Sequence, residues 1–191
     1  MNIKYVTAVV LSAIMAVSVL SGCEGQKVKN GKNEITKSDE NNTAANAQNK
    51  ISDFTAKDLD GNIVTNDIFY EKDLTVVNVW GTFCGPCIAE MPELGEWART
   101  LPDNVQIVGL IADIEGENDI EHINAAKDIT SKANADFLQI IANSDFTDLM
   151  NDIVGVPTTL FIDKNGNYTG KPIVGADVEA YKSFVEKYIN E

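Results

Sequence analysis

The sequence is poor in cysteine and histidine, the residues that cross-link small domains and bind structural zinc. Its 191 residues include three cysteines and one histidine, His122. Three cysteines are too few for a small fold held together by several disulfides. A zinc site built on one close cysteine pair would need two further ligands, and a single histidine leaves few candidates. These shortages exclude a disulfide-rich scaffold and disfavour a structural zinc site.

Basic side chains are also scarce. The formal net charge is −14, and residues 51–191 carry 25 acidic and 9 basic side chains, a charge of −16 for that segment. A strongly acidic domain is repelled by phosphate backbones and by anionic lipid headgroups, so we expect no nucleic-acid partner. The length suits one domain of ordinary size once processed or tethering segments are removed.

The longest apolar run lies near the amino terminus, over residues 6–20, and follows Lys4. It is shorter than the about 20 residues that a membrane-spanning helix needs. The run ends in Leu20-Ser21-Gly22-Cys23, which resembles the bacterial lipoprotein box. This pattern predicts a signal peptide over residues 1–22 and a lipid on the Cys23 sulfur, with an uncleaved membrane anchor as the alternative. Either outcome predicts an extracytoplasmic protein anchored to the cell membrane.

Residues 23–50 are polar, rich in asparagine and lysine, and contain almost no large apolar side chain. Such a segment cannot bury enough surface to offset the entropy of ordering, so we predict a disordered tether, lipidated at its first cysteine. A flexible chain of this length spans roughly 30 Å on average. It would keep a folded domain over residues 51–191 close to the membrane.

Apolar periodicity in residues 51–191 alternates between strand and helix patterns. Two near-continuous apolar runs, Leu74–Trp80 and Val105–Ile111, are typical of strands buried on both faces. Shorter strand patterns occur at 54–59, 63–65, 137–141, 158–162 and 168–174, the first two and the last two as hairpins. Helical patterns occur from Cys84 to about Leu101, at 119–134, at 146–151 and after an Asp177 cap. We therefore predict an α/β domain whose central mixed β-sheet is flanked by helices and preceded by an N-terminal hairpin.

Cys84-Gly85-Pro86-Cys87 occupies the junction between the first buried strand and the following helix. The first sulfur would lie among unpaired backbone N–H groups at the positive end of a helix dipole, which favours thiolate over thiol. We expect a partly exposed Cys84 to attack disulfides and a shielded Cys87, one turn further along, to resolve the mixed disulfide. A zinc half-site or two buried core thiols are the alternatives.

The motif WGTFCGPC at residues 80–87, with EMPEL at 90–94 and GVPT at 155–158, carries a family resemblance. It resembles the thioredoxin superfamily and, within it, the TlpA/ResA family of membrane-anchored thiol-disulfide oxidoreductases. The resemblance covers residues 51–191 and implies a thioredoxin-like fold with an inserted helix at 119–134. The family usually has tryptophan at the position of Phe83. This difference affects the shape of the surface around the active site that contacts partners.

The resemblance assigns roles to two prolines near the cysteines. Pro157 is expected to form a cis bond with Val156 opposite the cysteines, leaving the Val156 backbone free to pair with a substrate strand. Pro86 stands early in the helix, where its missing N–H costs nothing, and is expected to tune the relative stability of dithiol and disulfide. The Gly-Pro dipeptide resembles thioredoxin, a reductant with a potential of about −270 mV.

Glu90 lies three residues past Cys87, on roughly the same helix face. The resemblance gives this carboxylate a proton-accepting role when the resolving thiol ionises. A solvated glutamate, favoured there by the helix dipole, is the alternative. Asn78 stands where thioredoxins proper have a buried aspartate, and it cannot titrate. Trp80 is expected to pack beside the active-site loop, although core packing explains it almost equally well.

Taken as a family member, the chain is expected to reduce disulfides in protein substrates, with the Cys84–Cys87 disulfide as its redox group and no separate cofactor. Electrons would arrive from an integral-membrane dithiol carrier of the CcdA/DsbD type. Family members serve cytochrome c maturation or supply other extracytoplasmic reductases. We expect a monomer.

Two other functions use related folds. A copper metallochaperone of the thioredoxin fold has CxxxC and a distant histidine, whereas this chain has CxxC and no histidine after His122. A peroxiredoxin-like peroxidase needs a threonine and a proline ahead of the attacking cysteine, and an arginine near it. Thr82 precedes Cys84, but no proline lies between Leu74 and Cys84, and the only arginine is the distant Arg99.

Overall fold

The structure is a computed structural model that describes residues 49–191. The predicted signal peptide over residues 1–22, the lipid site at Cys23 and nearly all of the tether over 23–50 lie outside the described residues. Among residues 49–191, no helix is both long enough and apolar enough to cross a membrane.

Seven strands form one mixed sheet, as predicted. They are β1 (Thr55–Asp58), β2 (Ile63–Thr65), β3 (Leu74–Trp80), β4 (Val105–Ile111), β5 (Gln139–Ile141), β6 (Thr158–Asp163) and β7 (Ile173–Val174). Their order across the sheet is β2-β1-β5-β4-β3-β6-β7. The β3–β4 and β4–β5 pairs are parallel and the remaining pairs antiparallel. All residues of β3 are buried, as its near-continuous apolar run predicts for a strand covered on both faces.

Five α-helices accompany the sheet in the described part of the chain: α1 (Asp67–Tyr70), α2 (Gly85–Ala98), α3 (Ile120–Lys132), α4 (Thr147–Asp152) and α5 (Val178–Ile189). Side chains on the two faces of β3 belong to two different apolar clusters. Val77 and Val79 pack with the first hairpin, α1 and the segment before α4, whereas Leu74 and Val76 pack with α2 and α5. A third cluster, below the cysteines, includes residues of α3. Helices therefore cover both faces of the sheet.

The prediction missed the short helix α1 and differs from the structure in three further places. Helix α2 stops at Ala98 rather than near Leu101. Strand β5 has three residues instead of five. The predicted strand at 168–174 is reduced to β7 and one isolated bridge at Tyr168, because Gly170 adopts a positive φ of 74° and Pro172 cannot donate to a ladder.

The inserted helix α3 is docked against α2 through its carboxyl end. The guanidinium Nη1 of Arg99 donates to the Asn134 carbonyl at 2.8 Å. A Cβ on Gly95 would lie 2.7 Å from the same carbonyl oxygen, so a glycine is needed for this close approach. These contacts fix the carboxyl-terminal half of α2, the helix that begins at the cysteine motif, against the end of α3.

Candidate active site

The cysteine motif lies at the carboxyl end of β3. Gly81–Phe83 link the strand to α2, and Cys84 is the N-cap of the helix, with extended backbone angles. Its Sγ accepts the Cys87 backbone N–H at 3.2 Å and is joined to the Cys87 sulfur in a disulfide. A sulfur in this position faces the positive end of the helix dipole, which stabilises a thiolate once the disulfide is reduced.

The two sulfurs differ in accessibility, although less than predicted. The prediction of a partly exposed Cys84 is wrong, because its exposed fraction is 5% and that of Cys87 is 0%. The carbonyl oxygen of Val156 lies 3.5 Å from the Cys84 Sγ and helps to cover it. Of the pair, only Cys84 retains any exposed surface, which favours the predicted order of attack.

The loop opposite the cysteines has the predicted conformation. The Val156–Pro157 peptide bond is cis. The Pro157 carbonyl accepts the Gly175 N–H at 2.8 Å, whereas Val156 makes no backbone hydrogen bond within residues 49–191. The structure therefore brings Val156 and Pro157 to the sulfur of Cys84. Pro86 occupies the second position of α2 and is exposed.

Glu90 is buried one turn beyond Cys87, with an exposed fraction of 6%. Its Oε1 accepts the Asn78 amide at 2.9 Å, and its Oε2 lies 3.2 Å from the Tyr181 hydroxyl. Burial raises the pKa of Glu90 above its ordinary value, and nearby Glu93 also raises it, against the lowering effect of these two hydrogen bonds. The alternative of a solvated first-turn glutamate is wrong.

Asn78 has a partner that the sequence did not reveal. Besides Glu90, its Nδ2 reaches the Thr159 Oγ1 at 3.2 Å, across the β3–β6 pair in which these two residues are in register. Its Oδ1 is buried without a hydrogen-bond partner in the described chain. The neutral amide donates to Glu90 where an aspartate would repel it.

Trp80 is fully buried and packs in the same apolar cluster as the two cysteines. It therefore has both predicted roles, since it packs in the core and supports the active-site loop. Its Nε1 donates to the Gln139 Oε1 at 3.0 Å. A Cβ on Gly109 would overlap the Gln139 side chain and lie 3.0 Å from the Trp80 Nε1. Gly109 therefore leaves the space in which the indole meets Gln139.

Asp113 is a site residue that the sequence analysis missed. Its Oδ2 accepts both the backbone N–H and the hydroxyl of Thr82, at 2.8 and 2.7 Å, and so holds the link between β3 and α2. The signal was present, because Asp113 follows the buried run of β4, and β3 and β4 are parallel neighbours whose carboxyl ends meet at one edge of the sheet.

Comparison with known proteins decides the family. A profile of the Redoxin family matches residues 46–184. The chain belongs to the Redoxin family. It is similar to the thiol-disulfide oxidoreductase ResA of Bacillus thuringiensis subsp. konkukian (strain 97-27), with 30% identity over 139 residues that cover 72% of this chain and 73% of that protein.

Solved structures show the same fold around this Redoxin-family site. One is a DsbF homologue from Corynebacterium diphtheriae (TM-score 0.60, 20% identity, 72% of this chain and 85% of that one). Another is the exposed lipoprotein thioredoxin of Streptococcus pneumoniae strain TIGR4 (TM-score 0.59, 21% identity, 71% and 99%). As predicted, this protein has a thioredoxin-like fold and is a thiol-disulfide oxidoreductase of the TlpA/ResA type.

The histidine of this Redoxin-family protein pairs with the N-cap of its own helix. The His122 Nδ1 lies 2.8 Å from the carboxylate of Asp119, the N-cap of α3, and this hydrogen bond raises the pKa of His122. Within residues 49–191, no group of three or more histidine, cysteine, aspartate or glutamate side chains is placed to hold a metal ion.

The raised pKa of Glu90 predicts a pH-dependent stability difference. A folded-state pKa above the ordinary value of 4.5 contributes stability at low pH, and that contribution is lost as the pH rises through the folded-state pKa. The side chain at position 90 of the oxidised Glu90→Gln variant stays neutral at every pH. As the pH rises from acidic to mildly alkaline, the free energy of unfolding of this variant should therefore increase relative to that of wild type, by about 1.4 kcal/mol per unit of pKa shift.

Urea denaturation at several pH values measures this difference. Glu96→Gln, an exposed position on the same helix, is the matched control and should show no such trend. A stability difference between Glu90→Gln and wild type that is constant with pH would contradict the assignment.

Proposed function

We propose that this protein is an extracytoplasmic, lipid-anchored disulfide reductase. The lipid on Cys23 and the tether of residues 23–50 would hold the domain at the cell membrane. There it would take electrons from an integral-membrane dithiol carrier of the CcdA/DsbD type and pass them to disulfides in protein substrates. The observation that supports this best is the Cys84 sulfur at the N-terminus of α2, joined to a wholly buried Cys87.

The proposed reaction moves two electrons by two thiolate displacements. The Cys84 thiolate attacks one sulfur of the substrate disulfide, forms a mixed disulfide and expels the other substrate sulfur as a thiolate, which takes up a proton. The Cys87 thiol then loses its proton and its thiolate attacks the Cys84 sulfur. This step releases the second substrate thiol and leaves the Cys84–Cys87 disulfide, which the membrane carrier reduces again.

Glu90 is the proposed acceptor of the Cys87 proton, directly or through one water. It lies one helical turn from Cys87, within the same buried region. A base works best when its pKa approaches the operating pH, and burial moves the pKa of Glu90 in that direction. Asn78 supports this role by donating to the carboxylate without adding charge.

The proposed docking site for a substrate strand surrounds Cys84. The unpaired backbone of Val156 offers one N–H and one C=O to an extended segment. Two strongly exposed apolar side chains stand close to these residues in the chain: Phe83, directly before Cys84, is 74% exposed, and Val154, two residues before Val156, is 86% exposed. Phe83 supplies apolar surface where the family usually has tryptophan, without the indole N–H.

The pathway follows from the family resemblance. We propose either cytochrome c maturation, with reduction of the haem-attachment cysteines of the apocytochrome, or supply of electrons to another extracytoplasmic reductase. The protein would act as a monomer, with no cofactor besides its own disulfide. The strongly acidic domain again disfavours a nucleic-acid partner.

The described contacts disfavour the peroxidase alternative. The Thr82 hydroxyl donates to Asp113, and Arg99 donates to the Asn134 carbonyl. Arg99 lies about 20 Å along α2 from Cys84, at 1.5 Å per residue. Neither residue is therefore placed to activate a peroxide at Cys84.

The metallochaperone alternative would require tight stoichiometric copper binding without reductase turnover. Copper titration distinguishes a metallochaperone from a reductase.

Cys87→Ser tests the proposed reaction order. The variant should stop after the first displacement and accumulate a mixed disulfide between Cys84 and the substrate, because the resolving thiol is absent. Non-reducing electrophoresis and mass spectrometry of membrane extracts would detect and identify the adduct. Cys84→Ser is the matched control and should trap nothing. Equal trapping by both variants would contradict the assignment.

The reduction potential tests the direction of electron flow. We expect a value near that of thioredoxin, about −270 mV, measured by equilibration of the full chain with glutathione or dithiothreitol buffers. Such a value makes the dithiol a donor toward substrate disulfides. A value near about −120 mV, typical of a strong oxidant, would overturn the reductase proposal.

A further inference from the structure

The hydroxyl of Tyr181 is buried among several polar groups, one of which is the side chain of Thr159. The Asp177 backbone N–H donates to it at 3.2 Å, the Gly175 carbonyl oxygen lies at 2.7 Å, and the Glu90 Oε2 lies at 3.2 Å. Tyr181 itself is fully buried on α5. This cluster is separate from the disulfide, and the sequence analysis assigned no role to Tyr181.

The phenol has a single hydrogen, which can go to only one of its two possible acceptors. When Glu90 is ionised, its oxygen needs a donor, and the Tyr181 hydrogen satisfies it. When Glu90 is protonated, the carboxyl can donate to the Tyr181 oxygen, and the phenol hydrogen is then free for the Gly175 carbonyl. The direction of the Tyr181 hydrogen therefore depends on the charge of Glu90.

Gly175 connects this cluster to the loop opposite the cysteines. Its N–H donates to the Pro157 carbonyl at 2.8 Å, and Pro157 follows Val156, whose carbonyl lies 3.5 Å from the Cys84 Sγ. A continuous series of contacts thus leads from the Glu90 carboxyl, through Tyr181 and Gly175, to the backbone proposed to bind substrate.

We propose that Tyr181 is a positioning residue that couples the proton on Glu90 to the Val156–Pro157 loop, by donating to Glu90 when the carboxyl is ionised and to Gly175 when it is protonated. This inference rests on the proposed proton role of Glu90 for its meaning in catalysis. Its geometry, however, can be tested without turnover. It explains why a carboxyl on α2 is contacted by a hydroxyl from a helix 91 residues later in the chain.

Other groups around Glu90 are compatible with this coupling. Glu93, on the same helix, repels the ionised form but pairs with Lys182 of α5 at 2.7 Å. Strands β3 and β6 present the neutral side chains of Asn78 and Thr159. Cys87, the remaining titratable neighbour on α2, is held in the disulfide of the oxidised protein.

Tyr181→Phe in the oxidised full chain tests the proposal, because it removes the hydroxyl and keeps the ring. Carbon-13 NMR would follow the Glu90 side-chain carboxyl, assigned with Glu90→Gln, and the Gly175 carbonyl as functions of pH. In wild type, both signals should titrate with one midpoint. In Tyr181→Phe, the Glu90 midpoint should move up by about one pH unit, since a hydrogen bond to a charged group is lost, and the Gly175 carbonyl should stop titrating.

Tyr188→Phe is the matched control, because it lies on the same helix with its hydroxyl 3.5 Å from the Asp73 carbonyl, outside the site. It should leave both titrations unchanged. An unchanged Glu90 midpoint in Tyr181→Phe, or a Gly175 carbonyl that does not titrate with Glu90 in wild type, would overturn the coupling. If the coupling holds but Glu90→Gln leaves the thiol pKa values and the reductase rate unchanged, the proposed proton role fails and the geometry of Tyr181 stands.

Discussion

The active site depends on one local constraint, the position of the Cys84 sulfur at the start of α2. The first turn of a helix has backbone N–H groups without intrahelical partners, and here the Cys87 N–H donates to that sulfur. The three-residue link between β3 and Cys84 sets this geometry, and Asp113 holds the link through Thr82. A shift of this link would move the sulfur from the helix end and from the Val156 carbonyl.

A buried carboxyl near the resolving cysteine is costly unless its neighbours adapt to both of its charge states. The environment of Glu90 meets this demand with neutral partners. Asn78 donates to the ionised form, and Tyr181 has a hydroxyl that can donate or accept. Burial shifts the pKa of Glu90 upward, so proton uptake and release become possible closer to neutral pH than for an exposed glutamate. The site thus combines a sulfur at a helix N-terminus, a wholly buried second sulfur and a nearby carboxyl.

The elements that carry the chemistry could be predicted because their signals are local. Long apolar runs identified β3 and β4, and the cysteine spacing at a strand-helix junction identified the redox pair. The cis bond at Pro157 came from family resemblance, since a valine-proline pair alone favours trans. Tyr181 and Asp113 could not be assigned roles, because each reaches the site from a distant segment. The exposure of Cys84 was overestimated for the same reason, since Val156 covers it from 72 residues away.

The most direct test of the account is the pH dependence of alkylation of the two cysteines in the reduced protein. Iodoacetamide labelling followed by peptide mass spectrometry gives a separate rate for Cys84 and for Cys87. The account predicts that Cys84 is labelled rapidly and that its thiol has a pKa below that of an ordinary cysteine, which is about 8.5. It predicts that Cys87 is labelled slowly. Equal, slow labelling of both, with ordinary thiol pKa values, would contradict it.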